Sequence, residues 1–217
     1  MREFFRRNHF LMRRLHSLFG ILPVGFFLAF HLYENAMAWR GVEHYNATVR
    51  WINSLPMFWL LELLILIPLY FHGIYGVFIA LEARHNVQHY NYSRNWAFFF
   101  QRLTGLITIL FVTWHIFQFR LQKLLGAYGP YLGGDSMSGL PTFQHVADAF
   151  AIPWIAAAYI VGITGAAYHL CNGIYTFLIT WGITAGPKSQ RVSHIVTNAL
   201  FVCIAAMGVA AVFAFRA

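Results

Sequence analysis

Residues 57–82 read MFWLLELLILIPLYFHGIYGVFIALE, and this stretch decides the class of fold. Its only charged side chains are Glu62 and Glu82, and its apolar run is longer than the roughly 20 residues that a helix needs to cross a bilayer. The stretch therefore predicts a transmembrane helix. A single histidine, His72, lies inside it, where an ionisable side chain is costly.

The rest of the chain has the same character. Of its 217 residues, 59% are hydrophobic and 10% are charged, and the mean hydropathy is +0.56, whereas soluble domains carry about 25% charged residues. We therefore predict an all-α membrane protein with one transmembrane domain over residues 1–217 and no room for a large soluble domain. The first helix is too long to be a signal peptide and is expected to be retained. Five apolar stretches predict its helices, at about 16–39, 57–82, 97–119, 151–181 and 192–215.

The positive charges predict how the chain is oriented. The net charge is +8, but the basic residues flank apolar stretches and form no single basic face, so nucleic acid is excluded as a partner. Cytoplasmic loops are enriched in Lys and Arg, which favours a cytoplasmic N-terminus and an external C-terminus. That orientation puts nine basic residues inside and five outside: Arg2, Arg6, Arg7, Arg13, Arg14, Arg84, Arg94, Lys188 and Arg191, against Arg40, Arg50, Arg120, Lys123 and Arg216.

Four of the eleven histidines lie inside predicted helices, one in each of the first four. His31 and His115 are nearer the outer ends of their helices, and His72 and His169 are nearer the inner ends. The four histidines thus form two pairs at different depths. Ionisable residues within membrane spans are rare and usually face the bundle interior or a functional site.

Two facing neutral imidazoles at one depth can hold a haem iron from both sides, which leaves an electron carrier with no open coordination position. Two pairs at two depths predict two stacked haems that span the bilayer, held by the iron ligands His31, His72, His115 and His169. A flat macrocycle needs small neighbours. Gly76, Gly165 and Gly173 lie four residues from a histidine and share its helix face, although such glycines also mark close helix packing.

Other classes of membrane protein remain open alternatives. A non-redox metal transporter or a proton-relay pump would be expected to add carboxylate or thiolate groups near the histidines. The acids within the predicted spans are Glu34, Glu62 and Glu82. Neither alternative explains the pairing at two depths.

Long segments of the chain resemble one family. They are RRLHSLFGILPVG (13–25), the stretch from Asn53 to Ala80, YSRNWAFFFQRLTGLITILFVTWH (92–115), and YHLCNGIYTFLITWGIT (168–184) followed by PKSQRVS. Together they resemble the two-haem cytochrome b membrane anchor of succinate dehydrogenase (succinate:menaquinone oxidoreductase), a type shared with some fumarate reductases. The family's haem ligands fall on the same four histidines.

The resemblance implies the partners and the reaction. A flavoprotein subunit would oxidise succinate in the cytoplasm, and an iron-sulfur subunit would carry the electrons to this chain, which would pass them to menaquinone in a bacterial-type cytoplasmic membrane. His72 and His169 would hold the higher-potential haem, and His31 and His115 the lower-potential one. Related fumarate reductases have a glutamate just before the fourth ligand. Ala167 and Tyr168 stand there in this chain, which favours succinate oxidation over the reverse reaction.

Further residues are candidates for binding the haem and the quinone. Basic and hydroxyl groups near the inner pair are expected to meet haem propionates by charge-assisted hydrogen bonds. Glu62, near the outer end of the second helix, is expected to deliver protons to a quinone, and Glu34 is the alternative. The propionate candidates are Arg13, Arg14, His16, Ser17 and Arg102.

Overall fold

The computed structural model describes residues 7–84, 86–121 and 143–217. Of the basic residues used to predict the orientation, Arg2, Arg6 and Lys123 lie outside the described residues. The helices are α1 (His9–Ile21), α2 (Val24–Ala36) with a 3₁₀ turn (Met37–Arg40), α3 (Val42–Asn53), α4 (Phe58–Glu82), α5 (Ser93–Ile116) with a π-helical turn (Phe117–Leu121), α6 (Phe143–Ala151), α7 (Pro153–Thr180) and α8 (Pro187–Ala214).

The predicted all-α membrane fold is confirmed. Within the described part of the chain, five helical segments are long and apolar enough to cross a membrane: His9–Arg40, Phe58–Glu82, Ser93–Leu121, Pro153–Thr180 and Pro187–Ala214. Several helices begin before the predicted positions, because the prediction followed the apolar run and a helix continues into its polar flank. The helices α7 and α8 both begin at a proline, whose fixed φ suits the first helical turn.

The first span differs from the prediction of one continuous helix over 16–39. Its helix is interrupted at Leu22 and Pro23, between the end of α1 and the start of α2. Proline lacks a backbone N–H, and its ring clashes with the carbonyl one turn earlier, so it breaks a helix in this way. The span therefore consists of two helices that meet near its middle.

The segment between the first two spans, for which no helix was predicted, forms the helix α3. It begins after Gly41, whose φ of +96° lies in a region that glycine adopts at little cost. The side chains of Tyr45 and Val49 are buried. Asn46 Oδ1 accepts a hydrogen bond of 2.8 Å from the Phe143 backbone N–H, so α3 and α6 pack together at one end of the bundle.

The spans alternate in direction, so one end of the bundle collects the start of α1, the end of α4, the start of α5, the end of α7 and the start of α8. We call this the basic end, because Arg13, Arg14, Arg84, Arg94 and Lys188 lie there. The opposite end, covered by α3 and α6, is called the far end. At the basic end, Arg94 Nη2 donates to Gln190 Oε1 (2.6 Å) and to the Tyr175 hydroxyl (3.3 Å), which links α5, α7 and α8.

The centre of the bundle is α7. It contacts α5 and α8 extensively and also touches α1. Its buried residues include Gly162, Gly165, Ala166 and Ala167, and such small residues let membrane helices approach closely. The helices α4 and α5, all of whose residues are described, contain no fully buried residue. Their apolar side chains instead form the surface of the bundle.

Gly208 tests this close packing. A Cβ at this position would lie 3.2 Å from Leu32 Cδ2 and against Ile163. We expect Gly208→Val to lower the free energy of unfolding by about 1–3 kcal/mol, as overpacking does. The measurement is the thermal denaturation midpoint in detergent. Ala206→Val, at an exposed position on the same helix, is the control, and equal midpoints for both variants would contradict the packing.

Candidate functional site

The four histidines within the spans form two pairs whose rings lie close together. The His72 and His169 ring centroids are 5.9 Å apart with an interplanar angle of 75°, and those of His31 and His115 are 5.7 Å apart at 67°. The structure thus brings together the members of each pair that the sequence analysis had grouped by depth. We call His72 and His169 the inner pair, toward the basic end, and His31 and His115 the outer pair, toward the far end.

Both histidines of the inner pair are held by main-chain carbonyls. His72 Nδ1 lies 2.7 Å from the His16 carbonyl oxygen, and His169 Nδ1 lies 3.0 Å from that of Gln101. A carbonyl oxygen only accepts hydrogen bonds, so each Nδ1 carries the proton and donates it. The opposite ring nitrogen, Nε2, then keeps its lone pair and is free to act as a ligand.

Side chains take the same role in the outer pair. His115 Nδ1 is 3.1 Å from the Tyr159 hydroxyl oxygen, and His31 Nδ1 is 3.5 Å from Glu34 Oε2. Asn35 donates a hydrogen bond of 2.8 Å to the His31 carbonyl oxygen one turn earlier in α2. Three of the four paired histidines thus have a hydrogen-bond partner at Nδ1, and the fourth, His31, has a carboxylate oxygen 3.5 Å away.

A cavity of about 280 Å³ lies beside the inner pair. Both His72 and His169 line it, with apolar and small residues from α1, α2, α4, α5 and α7 around them. The histidines of the outer pair, His31 and His115, are not among the described residues that line this cavity. The glycines in its wall are Gly20, Gly25, Gly73, Gly76, Gly105 and Gly173.

Two of these glycines touch the histidine rings directly. A Cβ on Gly105 would lie 2.9 Å from His169 Cε1, and a Cβ on Gly20 would overlap the His72 ring. Only glycine leaves room for the rings at these positions. Of the glycines singled out from the sequence, Gly76 and Gly173 line the cavity. Gly165 instead packs against Ile107, whose Cγ2 would be 3.3 Å from its Cβ.

Polar groups stand at the edge of the same cavity. Its wall includes His16, Ser17 and Arg102. The His16 ring stacks on His72 with a centroid distance of 4.2 Å and an interplanar angle of 6°. The Arg102 guanidinium lies over the Phe98 ring, 3.3 Å from its centroid, and its Nη1 is buried with no hydrogen-bond partner among the described residues.

Of the propionate candidates on α1, Ser17 lines the cavity but Arg13 and Arg14 do not. Ser17 Oγ donates to the Arg14 carbonyl oxygen (2.9 Å) and accepts from Trp181 Nε1 (3.1 Å). The Arg14 guanidinium lies over the Phe10 and Trp181 rings, about 5 Å from each centroid. Neither Arg13 nor Arg14 is among the described residues that line the cavity. Both begin the helical turn that leads to His16.

Glu62 lies at the far end and forms an ion pair with Arg120. The distance from Glu62 Oε2 to Arg120 Nη2 is 2.5 Å, and both side chains remain partly exposed. The pair joins the start of α4 to the π-helical turn after α5. Glu34, the alternative from the sequence analysis, instead contacts His31.

Comparison with known proteins identifies the family of this membrane protein. The model of the family described as "Succinate dehydrogenase/Fumarate reductase transmembrane subunit" matches residues 82–207. The chain belongs to this family. It is also 42% identical over 209 residues to the succinate dehydrogenase cytochrome b558 subunit of Bacillus subtilis (strain 168), and the alignment covers 96% of this chain and 98% of that protein. The resemblance found in the sequence is thus confirmed.

Several residues that contact the paired histidines in this succinate dehydrogenase/fumarate reductase transmembrane subunit were not predicted from the sequence. Gly20 lies against the His72 ring. It follows His16 by one helical turn, so the spacing could have indicated that both residues face the same way. Gln101 is a polar residue within an apolar span, and this feature could have marked it as a contact of a buried polar group such as His169. Tyr159 and Gln118 gave no such signal, because their contacts with His115 and with each other depend on the packing of α5 against α7.

Proposed function

We propose that this chain is the cytochrome b anchor of a succinate dehydrogenase, and that it binds two haems b and passes electrons from an iron-sulfur subunit to menaquinone. The observation that carries the proposal is the arrangement of two histidine pairs at two depths, in which His72, His169 and His115 have a hydrogen-bond partner at Nδ1 and Glu34 lies beside His31. Such partners fix the ring orientation and increase the basicity of metal-binding imidazoles.

The residues of the inner pair fit a haem b. With metal–imidazole bonds of about 2 Å, a metal held between two Nε2 atoms separates the ring centroids by roughly 6 Å, close to the 5.9 Å between His72 and His169. The glycines leave space beside the rings, and the buried Arg102 Nη1 is a donor in need of an acceptor. A propionate carboxylate is such an acceptor.

The chain's own groups define the inner site. His72 and His169 would hold the iron, and Arg102, His16 and Ser17 would hold the propionates. Arg13 and Arg14 do not line the cavity and would add only positive charge at the basic end. The rest of the wall is mostly apolar. When bound, haem b supplies a one-electron carrier whose potential depends on these contacts and on its burial.

The outer pair supports the second half of the proposal. His31 and His115 would hold the second haem nearer the far end, where Glu62 lies. Reduction of menaquinone takes two protons with two electrons, and we assign their delivery to the Glu62 carboxylate. The ion pair with Arg120 holds this carboxylate at the far end of the bundle.

The charges support a particular orientation of the complex. An excess of Lys and Arg at the basic end favours its placement in the cytoplasm, where it would face the flavoprotein and iron-sulfur subunits. The membrane would be the cytoplasmic membrane of a bacterium. The reverse reaction, fumarate reduction by a quinol, uses the same family of anchors. Similarity to a named succinate dehydrogenase subunit favours succinate oxidation, and a haem-free preparation would instead favour a non-redox transporter.

Loss of one ligand from each pair tests the haem assignment. His72→Ala and His31→Ala are each expected to lower the haem b content from two to about one per chain, because an imidazole pair shares each iron. Haem is measured by the pyridine haemochrome spectrum of the purified complex. His44→Ala changes an exposed histidine outside the spans and should keep both haems. Full haem content in either ligand variant would refute the assignment.

Arg102→Gln tests the propionate contact. Removal of a positive charge beside the inner haem stabilises its oxidised form, so we expect one of the two midpoint potentials to fall while the other is unchanged. A redox titration followed by haem absorbance measures both. The control is Arg50→Gln, which removes an exposed arginine from α3. Unchanged potentials and spectrum in the Arg102 variant would exclude the contact.

Glu62→Gln tests the proton-delivery role. A group that acts in general acid–base catalysis contributes about 100-fold or more to the rate. We expect succinate-dependent reduction of a menaquinone analogue to fall by about this factor, with unchanged haem content and unchanged haem reduction by succinate. The matched control is Glu43→Gln, an exposed glutamate on α3. Normal quinone turnover in the Glu62 variant would exclude Glu62 and leave Glu34 as the candidate.

A further inference from the structure

We propose that the Tyr159 hydroxyl, held in place by Gln118, is the positioning group of His115 and selectively lowers the midpoint potential of the haem bound by the outer pair. The inference rests on the proposed function, because it concerns a haem ligand. It adds Tyr159 on α7 and Gln118 on the π-helical turn after α5 to the residues that support a haem ligand. Neither residue was a candidate in the sequence analysis.

The hydrogen bonds around Tyr159 have a defined direction. Its hydroxyl oxygen is 3.1 Å from Gln118 Oε1 and 3.1 Å from His115 Nδ1. An amide oxygen only accepts, so the Tyr159 proton is donated to Gln118, and the Tyr159 oxygen is left to accept the proton of His115 Nδ1. The chain of donors thus runs from His115 through Tyr159 to Gln118, and it leaves His115 Nε2 unprotonated.

The Tyr159 ring has little freedom to move. Its side chain is only 3% exposed, and edge-on aromatic contacts surround it, with centroid distances of 4.8 Å to Phe150, 5.1 Å to Phe111 and 5.2 Å to Trp114. Edge-to-face contacts of this kind favour a fixed ring geometry. The hydroxyl position is therefore set by packing.

Gln118 is placed by a local change in helix winding. The regular helix α5 ends at Ile116, just after His115, and Phe117–Leu121 form a π-helical turn. Wider turns of this kind change the direction in which the following side chains point. His115 at the end of α5 and Gln118 in the π-helical turn therefore both contact the Tyr159 hydroxyl on α7.

The contact distinguishes the outer pair from the inner pair. His72 and His169 donate to main-chain carbonyl oxygens, which no side-chain substitution removes. His115 depends on a phenol, and the loss of that phenol leaves a buried N–H with no acceptor, a costly state. A ligand that no longer donates a hydrogen bond is less basic, so it stabilises oxidised iron less well and the potential rises.

The test is Tyr159→Phe in the intact complex, followed by redox titration of both haems. We expect two haems per chain, an upward shift of one midpoint potential, and no change in the other. At a fixed ambient potential, the reduced-to-oxidised ratio of the affected haem should rise by about threefold to tenfold. Tyr175→Phe is the matched control, because it removes a buried phenol of the same helix whose oxygen accepts from Arg94. It should leave both potentials unchanged.

Gln118→Met gives a second, independent reading if Tyr159→Phe does not assemble. It removes the acceptor of the Tyr159 proton without changing the aromatic packing, and the same haem should shift upward. Unchanged potentials in an assembled Tyr159→Phe complex, an equal shift of both haems, or the same shift in Tyr175→Phe would overturn the inference. Absence of haem from the unmodified complex would instead refute the proposed function itself.

Discussion

An imidazole placed in the hydrocarbon core of a membrane must have its N–H bonded within the protein, because no water is present to accept it. The structure meets this constraint for His72, His169 and His115, and it places the Glu34 carboxylate 3.5 Å from His31 Nδ1. Main-chain oxygens of His16 and Gln101 accept from the inner pair, and Tyr159 and Glu34 face the outer pair. The three hydrogen-bonded histidines are thereby fixed in one tautomer and one orientation by acceptors on neighbouring helices.

The packing of the bundle follows from the same requirement. Acceptors from one helix can reach histidines on another only if the helices approach closely, and glycine provides that approach at Gly20 and Gly105, where a Cβ would meet a histidine ring. Close packing is concentrated on α7, which carries His169 and Tyr159, whereas α4 and α5 keep their remaining surface for lipid. The family's transmembrane fold thus places one histidine pair beside a cavity toward the basic end and the other pair toward the far end.

Sequence reasoning predicted the spans well, because the apolar length of a membrane helix is a property of the chain itself. The histidines that were grouped by depth also lie together in the structure, since position along a helix largely determines depth. Sequence reasoning did not predict the interruption at Pro23 or the helix α3, which is short and amphipathic, so it resembles a loop when only apolar runs are considered. The contacts of Gln101, Tyr159 and Arg120 were missed because rotamers and helix rotation, which tertiary packing determines, decide which side chains meet.

The most direct test of two bis-histidine sites is electron paramagnetic resonance of the oxidised complex. Two imidazole ligands on each iron produce low-spin haem, because no coordination position remains open. The account predicts two low-spin signals of equal intensity that together represent two haems per chain. A high-spin signal, or low-spin haem amounting to only one per chain, would contradict it.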